Sequence, residues 1–296
     1  MEVEKEAMKI KAAYKAAADR LAAVLQRLDP DAYSESTAAA VMTSAQEIVG
    51  SLNARSRAWA RRALTTAYED ERRISKNRLV VIGAEPGRGG KKRHERAKAA
   101  LIRQTLRDLF KANATFERTA QQYLGMVRAA SRGLQKLEAM SPELTTRIGG
   151  LAKKAVKDGL ARQTLKNQIR KLLDLTLRGR DFISIRGKDG VLRDYKAGKY
   201  AEMVARTRLR EAASEATVNA AREYDHDLVE IPAKGGSCED CIEIEGQVYS
   251  LTGDTPGYPV LTDEERPPIH PNCRHYLRVT SESSLAFRKA VAEGAA

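Results

Sequence analysis

The chain has 296 residues, 42% hydrophobic and only 5% aromatic, with a net charge of +13. That length allows one large domain or two ordinary ones, and an Ala-rich, ring-poor composition favours thin helices over a thick aromatic core. No run of about 18 apolar residues occurs, which excludes a membrane-spanning helix, and the charge-alternating start MEVEKEAMKIKAAYKAAADRL is not expected to be a secretory leader.

Residues 2–28 read as one amphipathic helix stopped by Asp29-Pro30, and residues 35–76 as one or two more. NRLVVIGAEPGRGGKKR then interrupts the pattern with four glycines and a proline. It is not a phosphate loop, because Glu85 stands where the first glycine belongs and Lys92 where a magnesium-binding hydroxyl belongs. It reads instead as a basic loop whose Arg88, Lys91, Lys92 and Arg93 are candidates for contact with a nucleic-acid backbone.

Helix is expected again from about Arg93 to Met140. It restarts at Ser141-Pro142, an N-cap followed by a first-turn proline. Leu165, Ile169, Leu172, Leu173 and Leu177 form a 3.6-residue stripe suited to packing. DFISIRGKDGVLRDY changes to a period of two, and Asp189-Gly190 marks a hairpin turn. A helix over 199–224 and a short strand in DLVEIPA follow.

Composition shifts near residue 230. Three of nine prolines precede residue 232, and the other six lie between 232 and 271. From Glu230 onward there are 6 Lys and Arg against 11 Asp and Glu, a net −5 that leaves +18 on residues 1–229. A basic body with an acidic tail region suggests a polyanionic partner for the body, such as double-stranded DNA bound without sequence preference.

All three cysteines and two of the four histidines fall between 238 and 275. Three thiols cannot pair completely as disulfides, which fits a reduced compartment. Cys238-x2-Cys241 and His270-x2-Cys273 supply a Cys₃His set of the kind that closes a structural zinc site, with His275 as an alternative ligand or supporting residue. A zinc staple would suit a loop-rich region poor in aromatics. His275 with Asp263 or Glu264, or Cys273 with a histidine base, are only loose catalytic pairings, so no catalytic set is assigned and no enzyme is expected.

The order of motifs over residues 180–280 is specific. Arg206-Thr207 on a helix precedes Asp227-Leu228-Val229 and Cys238-x2-Cys241. Gly246-Gln247-Val248-Tyr249-Ser250, Leu251-Thr252-Gly253 and Gly257-Tyr258-Pro259 follow, then His270-Pro271-Asn272-Cys273-Arg274-His275. This resembles the phage minor capsid protein 2 family and the related head morphogenesis proteins of the phage Mu F type. Glu243-Ile244 departs mildly from the aromatic or proline-rich segment more usual before the glycine.

The resemblance implies a low-copy virion protein inside the capsid near the portal vertex, present in the host cytoplasm during assembly. It implies the portal protein and a major capsid or scaffold protein as partners, with packaged DNA met by the basic body. Copies of the same chain are another candidate cover for the apolar helix faces. The alternatives are a metal-dependent nuclease or transferase effector carried in the capsid, and a zinc-ribbon nucleic-acid binder. No further domain of enzyme size follows residue 280, and the ribbon region is acidic, which count against them.

The expected fold is mainly α. Residues 1–180 form a basic helical body with a loop near 83–93, residues 181–280 a small, loop-rich, zinc-clamped α+β domain, and residues 281–296 a tail.

Overall fold

The computed structural model describes residues 3–30, 32–87, 90–138, 167, 171, 182–186, 190–234 and 238–292. The expected helix start at Ser141-Pro142, the Leu165–Leu177 stripe and Asp189 lie outside them.

Three long helices carry the N-terminal body: α1 Val3–Leu25, α2 Glu35–Val81 and α3 Lys91–Glu138. Each buries a stripe at steps of three and four. In α1 it is Ala7, Ile10, Tyr14, Ala17, Leu21 and Leu25; in α3 it is Leu101, Thr105, Leu109, Ala112, Phe116, Ala120, Tyr123 and Val127. Such spacing gives a narrow apolar seam, and alanines within it let helices approach closely. No helix among the described residues is long and apolar enough to cross a membrane.

The start of α2 is capped by Ser34, whose Oγ accepts the Thr37 amide at 3.1 Å. Its end lies five residues beyond the expected 76. The reason is tertiary: Leu79 is fully buried in a core cluster and holds the last turn in place. Gly83 (φ +79°) then reverses the chain, with Ala84 N–H donating to Leu79 O and Gly83 N–H to Val80 O, the paired bonds of a glycine-terminated helix.

The chain divides into two compact units. One comprises Lys11–Arg55 and Phe110–Tyr200. Within it Tyr14 meets Phe116 edge-on at 6.3 Å, and Asn113 donates to Asn53 at 2.7 Å. It also holds the hairpin of β1 Phe182–Arg186 and β2 Leu192–Lys196, paired antiparallel from Phe182↔Lys196 to Arg186↔Leu192. Gly190 in its turn has φ +77°, as the sequence expects of an Asp-Gly connection.

The other unit comprises Met1–Ile10, Ser56–Leu109 and Ala201–Ala296. Helix α4 Ala197–Glu223 runs into it and leads to a three-stranded antiparallel sheet of order β4-β3-β5: Val248–Ser250, Leu228–Glu230 and Arg278–Val279. A four-residue helix, α5 Glu239–Ile242, lies between β3 and β4, and α6 Glu282–Ala292 follows the sheet. Leu79, Val218, Ala221, Val229, Ile231, Ile244, Tyr249, Leu277 and Val279 form one buried cluster. The end of α2, one face of α4 and the sheet therefore share a core, and the loops that carry the cysteines emerge from it.

Candidate metal centre

Each half of the Cys/His motif sits on a tight turn. Cys238 O accepts the amides of Cys241 (3.0 Å) and Ile242 (3.1 Å), which folds Cys-x2-Cys into the first turn of α5. His270 O accepts the Cys273 amide at 3.1 Å, and Asn272 adopts φ +65° to close that second turn. Helix α4 anchors the second turn: Arg210 Nη1 donates to Arg274 O at 2.9 Å, and the Asn272 amide reaches Thr207 Oγ1 at 3.4 Å. The helical Arg-Thr motif and the distant HPNCRH motif are thus parts of one assembly.

The donor atoms converge. His270 Nε2 lies 3.2 Å from Cys238 Sγ and 3.0 Å from Cys241 Sγ. Cys241 Sγ lies 3.8 Å from Cys273 Sγ, and Cys273 Sγ 3.7 Å from His275 Nδ1. Two groups able to hold a metal ion result, one of Cys238, Cys241 and His270 and one of Cys241, Cys273 and His275, with the ligand atoms of each within 4.8 Å of one another. Cys241 belongs to both. Cys238 is exposed, whereas Cys241, Cys273 and His275 are buried.

The chemistry of the set fits a soft or borderline cation. Burial and the adjoining Cys238 and Cys273 sulfurs push the Cys241 thiol far up, because a thiolate there would lack compensation. A bound cation would supply that compensation and hold the sulfurs ionised. Both imidazoles are also oriented for it. His270 donates from Nδ1 to Pro271 O at 2.8 Å, and His275 donates from Nε2 to Glu245 Oε1 at 2.6 Å, leaving the other nitrogen of each aimed at sulfur.

Asp227, next to this region in the motif order, has a separate task. Its carboxylate accepts the hydroxyls of Ser250 (2.6 Å), Thr252 (2.7 Å) and Thr255 (2.6 Å) and the amides of Leu251 (3.0 Å), Thr252 (2.8 Å) and Thr255 (3.2 Å). Burial alone would raise its pKa, but these donors hold it well below the usual carboxylate range. A depressed carboxylate contributes stability that is present above its ordinary value and lost as pH falls. Asp227→Asn should therefore unfold the loop 250–255 at neutral pH, at a cost of roughly 1–3 kcal/mol, and should flatten the acid-side loss of stability below pH 4. Thermal unfolding at pH 7 and pH 3 tests both.

The basic residues separate into two groups. Lys91, Lys92 and Arg93 are exposed on the first turn of α3, while Arg88 lies outside the described residues. Lys92, Arg96, Arg103 and Arg107 are exposed at steps of four, seven and four, which places them on one face of α3 over about 22 Å. The sequence reading singled out the loop; helical periodicity extends the charge along the helix.

The sequence reading missed a buried polar chain. Asn219 Nδ2 donates to Tyr68 Oη at 3.0 Å, Tyr68 Oη–H donates to His94 Nδ1 at 2.8 Å, and His94 Nε2–H donates to Glu223 Oε2 at 3.1 Å. Arg72 (3.2 Å) and Lys76 (3.1 Å) also pair with Glu223. Burial and the Arg72 charge lower the His94 value, and burial pushes Tyr68 up to about 12. The glycine-rich loop closes onto this chain. Gly87 N–H donates to Glu223 O at 2.7 Å, and a Cβ there would stand 2.8 Å from Asp225 Oδ2. The signal was available in part: His94 lies seven residues before Leu101 on the buried stripe of α3.

No curated protein and no solved structure matches the chain. A family model does: residues 161–282 match the family described as phage minor capsid protein 2. The matched segment includes every cysteine, His270 and His275, Asp227 and the Thr207 anchor, and over it the chain is similar to the phage minor capsid protein 2 family.

Proposed function

We propose that the chain is a structural minor component of a phage head, positioned near the portal vertex, whose basic helices contact packaged DNA and whose C-terminal region is closed by one zinc ion. The family match over residues 161–282 carries the capsid reading. Portal and capsid or scaffold partners are proposed on that footing, as are location in the virion and passage through the host cytoplasm during assembly. The DNA contact is supported by the +18 carried on residues 1–229 and by the exposed Lys92, Arg96, Arg103 and Arg107 face. Zinc is supported by a donor set of three sulfurs and two imidazoles. With zinc enclosed by protein ligands the site is structural, and the chain acts as a scaffold rather than an enzyme.

Co-expression with the portal protein of the same phage should give a complex that survives gel filtration. In a separate assay the purified protein should bind duplex DNA of any sequence, with affinity falling steeply between 50 and 200 mM salt. Replacing Lys92, Arg96, Arg103 and Arg107 by Gln should weaken binding at least about tenfold and reduce the salt slope by up to four contacts. Failure to bind duplex DNA at low salt removes the DNA contact from this reading, and failure to bind portal removes the vertex.

A further inference from the structure

We infer that the five donors do not share the metal equally: Cys241, Cys273 and His275, with Glu245 behind it, form the fixed part of the site, and Cys238 and His270 compete for the remaining position. This rests on the metal-site reading above. In a tetrahedral zinc site with Zn–S of about 2.3 Å and Zn–N of about 2.0–2.1 Å, two sulfurs stand about 3.8 Å apart and a sulfur and a nitrogen about 3.6 Å. The inner pairs already have those edges, at 3.8 Å for Cys241–Cys273 and 3.7 Å for Cys273–His275. The outer contacts, 3.2 and 3.0 Å, are too close and must open to admit an ion.

Burial separates the groups in the same way. The inner three are buried, Cys238 is exposed and His270 is half-buried. Support differs too. His275 is 4% exposed and bonded to a carboxylate, which fixes its tautomer and strengthens Nδ1 as a ligand. Glu245 Oε1 is itself held by the Lys234 amide at 3.1 Å. His270 is bonded instead to the carbonyl of its neighbour Pro271, with no carboxylate bonded to it among the described residues. Cys238 and His270 both lie within 4.8 Å of Cys241, the donor that the two groups share, which makes each a candidate for the fourth position.

The test compares full-length wild type with His275→Gln, His270→Gln, Cys238→Ser and Glu245→Gln. Zinc content, chelator competition and the thiolate-to-metal absorption of the cobalt(II)-loaded protein are read for each, with far-UV circular dichroism as the folding control. Wild type should hold about one zinc. His270→Gln and Cys238→Ser should each keep it, with affinity reduced less than about tenfold, whereas Glu245→Gln should lose about 10–100-fold and His275→Gln more than that. If His275→Gln does not fold, Glu245→Gln decides, since it keeps all five donors: unchanged affinity overturns the inference. Retention by His275→Gln with loss by His270→Gln also overturns it, as does equal loss in both. A wild type that takes up neither zinc nor cobalt overturns the metal centre itself.

Discussion

Cys241→Ser should cost the unit that contains it more than about 4 kcal/mol, a loss otherwise confined to the most severe core and metal-site changes. Cys241 is the donor common to both ligand groups and is 1% exposed, so its loss breaks both groups at once. Its loss leaves Cys273 and His275 without a common ion, and it leaves the turns at 238–242 and 270–273 held by a few backbone bonds. Structural zinc contributes its binding energy directly to folding, on the order of 10 kcal/mol in small zinc domains. The core cluster around Val229 and Leu277 lessens the dependence here. A fall in melting temperature on the order of 10 °C is expected for a unit of this size, and a strong chelator added to wild type should reproduce it. Hydrogen exchange should accelerate across 238–277, while the helices of the Lys11–Arg55 and Phe110–Tyr200 unit keep their protection. Equal melting temperatures for wild type and Cys241→Ser, with and without chelator, would refute a stabilising metal.

Glu223→Gln should be the second large effect, at about 2–4 kcal/mol for uncovering partly buried cations. The substitution preserves shape but withdraws the carboxylate that Arg72, Lys76 and His94 share. The three sites are 23%, 32% and 1% exposed, so water rescues Lys76 best and His94 not at all. The pH dependence has a definite sign. Burial tends to raise Glu223, but bonds from Lys76, Arg72 and His94 hold it below the usual carboxylate range. Its contribution is therefore present above about pH 4.5 and is lost as pH falls. His94 is also lowered, so its neutral form adds stability above about pH 6.5 that is likewise lost on acidification. Wild type should weaken from pH 7 to pH 3 in two stages, and Glu223→Gln should remove the lower one. Urea unfolding at half-unit pH steps measures this; parallel curves for the two proteins would show that Glu223 is not coupled to the chain of donors.

Much was determined by the sequence alone, because the signals involved are local. Apolar residues at steps of three and four dictate the long helices, Asp189-Gly190 between alternating runs dictates the β1–β2 hairpin, and the x2 spacing within Cys238–Cys241 and His270–Cys273 dictates two tight turns that aim donors inward. The likeness to the phage minor capsid protein 2 family was legible for a related reason, since the motifs that carry it include turn glycines such as Gly246 and Gly253, whose positive φ few other residues adopt. What the tertiary structure alone decided depends on residues far apart in the chain. Leu79 extends α2 because a sheet formed some 150 residues later covers it. Tyr68, His94, Asn219 and Glu223 become one hydrogen-bonded chain only when three helices meet, since no spacing rule relates a donor on one helix to an acceptor on another. Glu245 reads as one more acid in an acidic loop until folding brings it 2.6 Å from His275. Local periodicity is set by backbone geometry, which every sequence shares, whereas the pairing of distant polar groups is set by packing, which is known only once the core has formed.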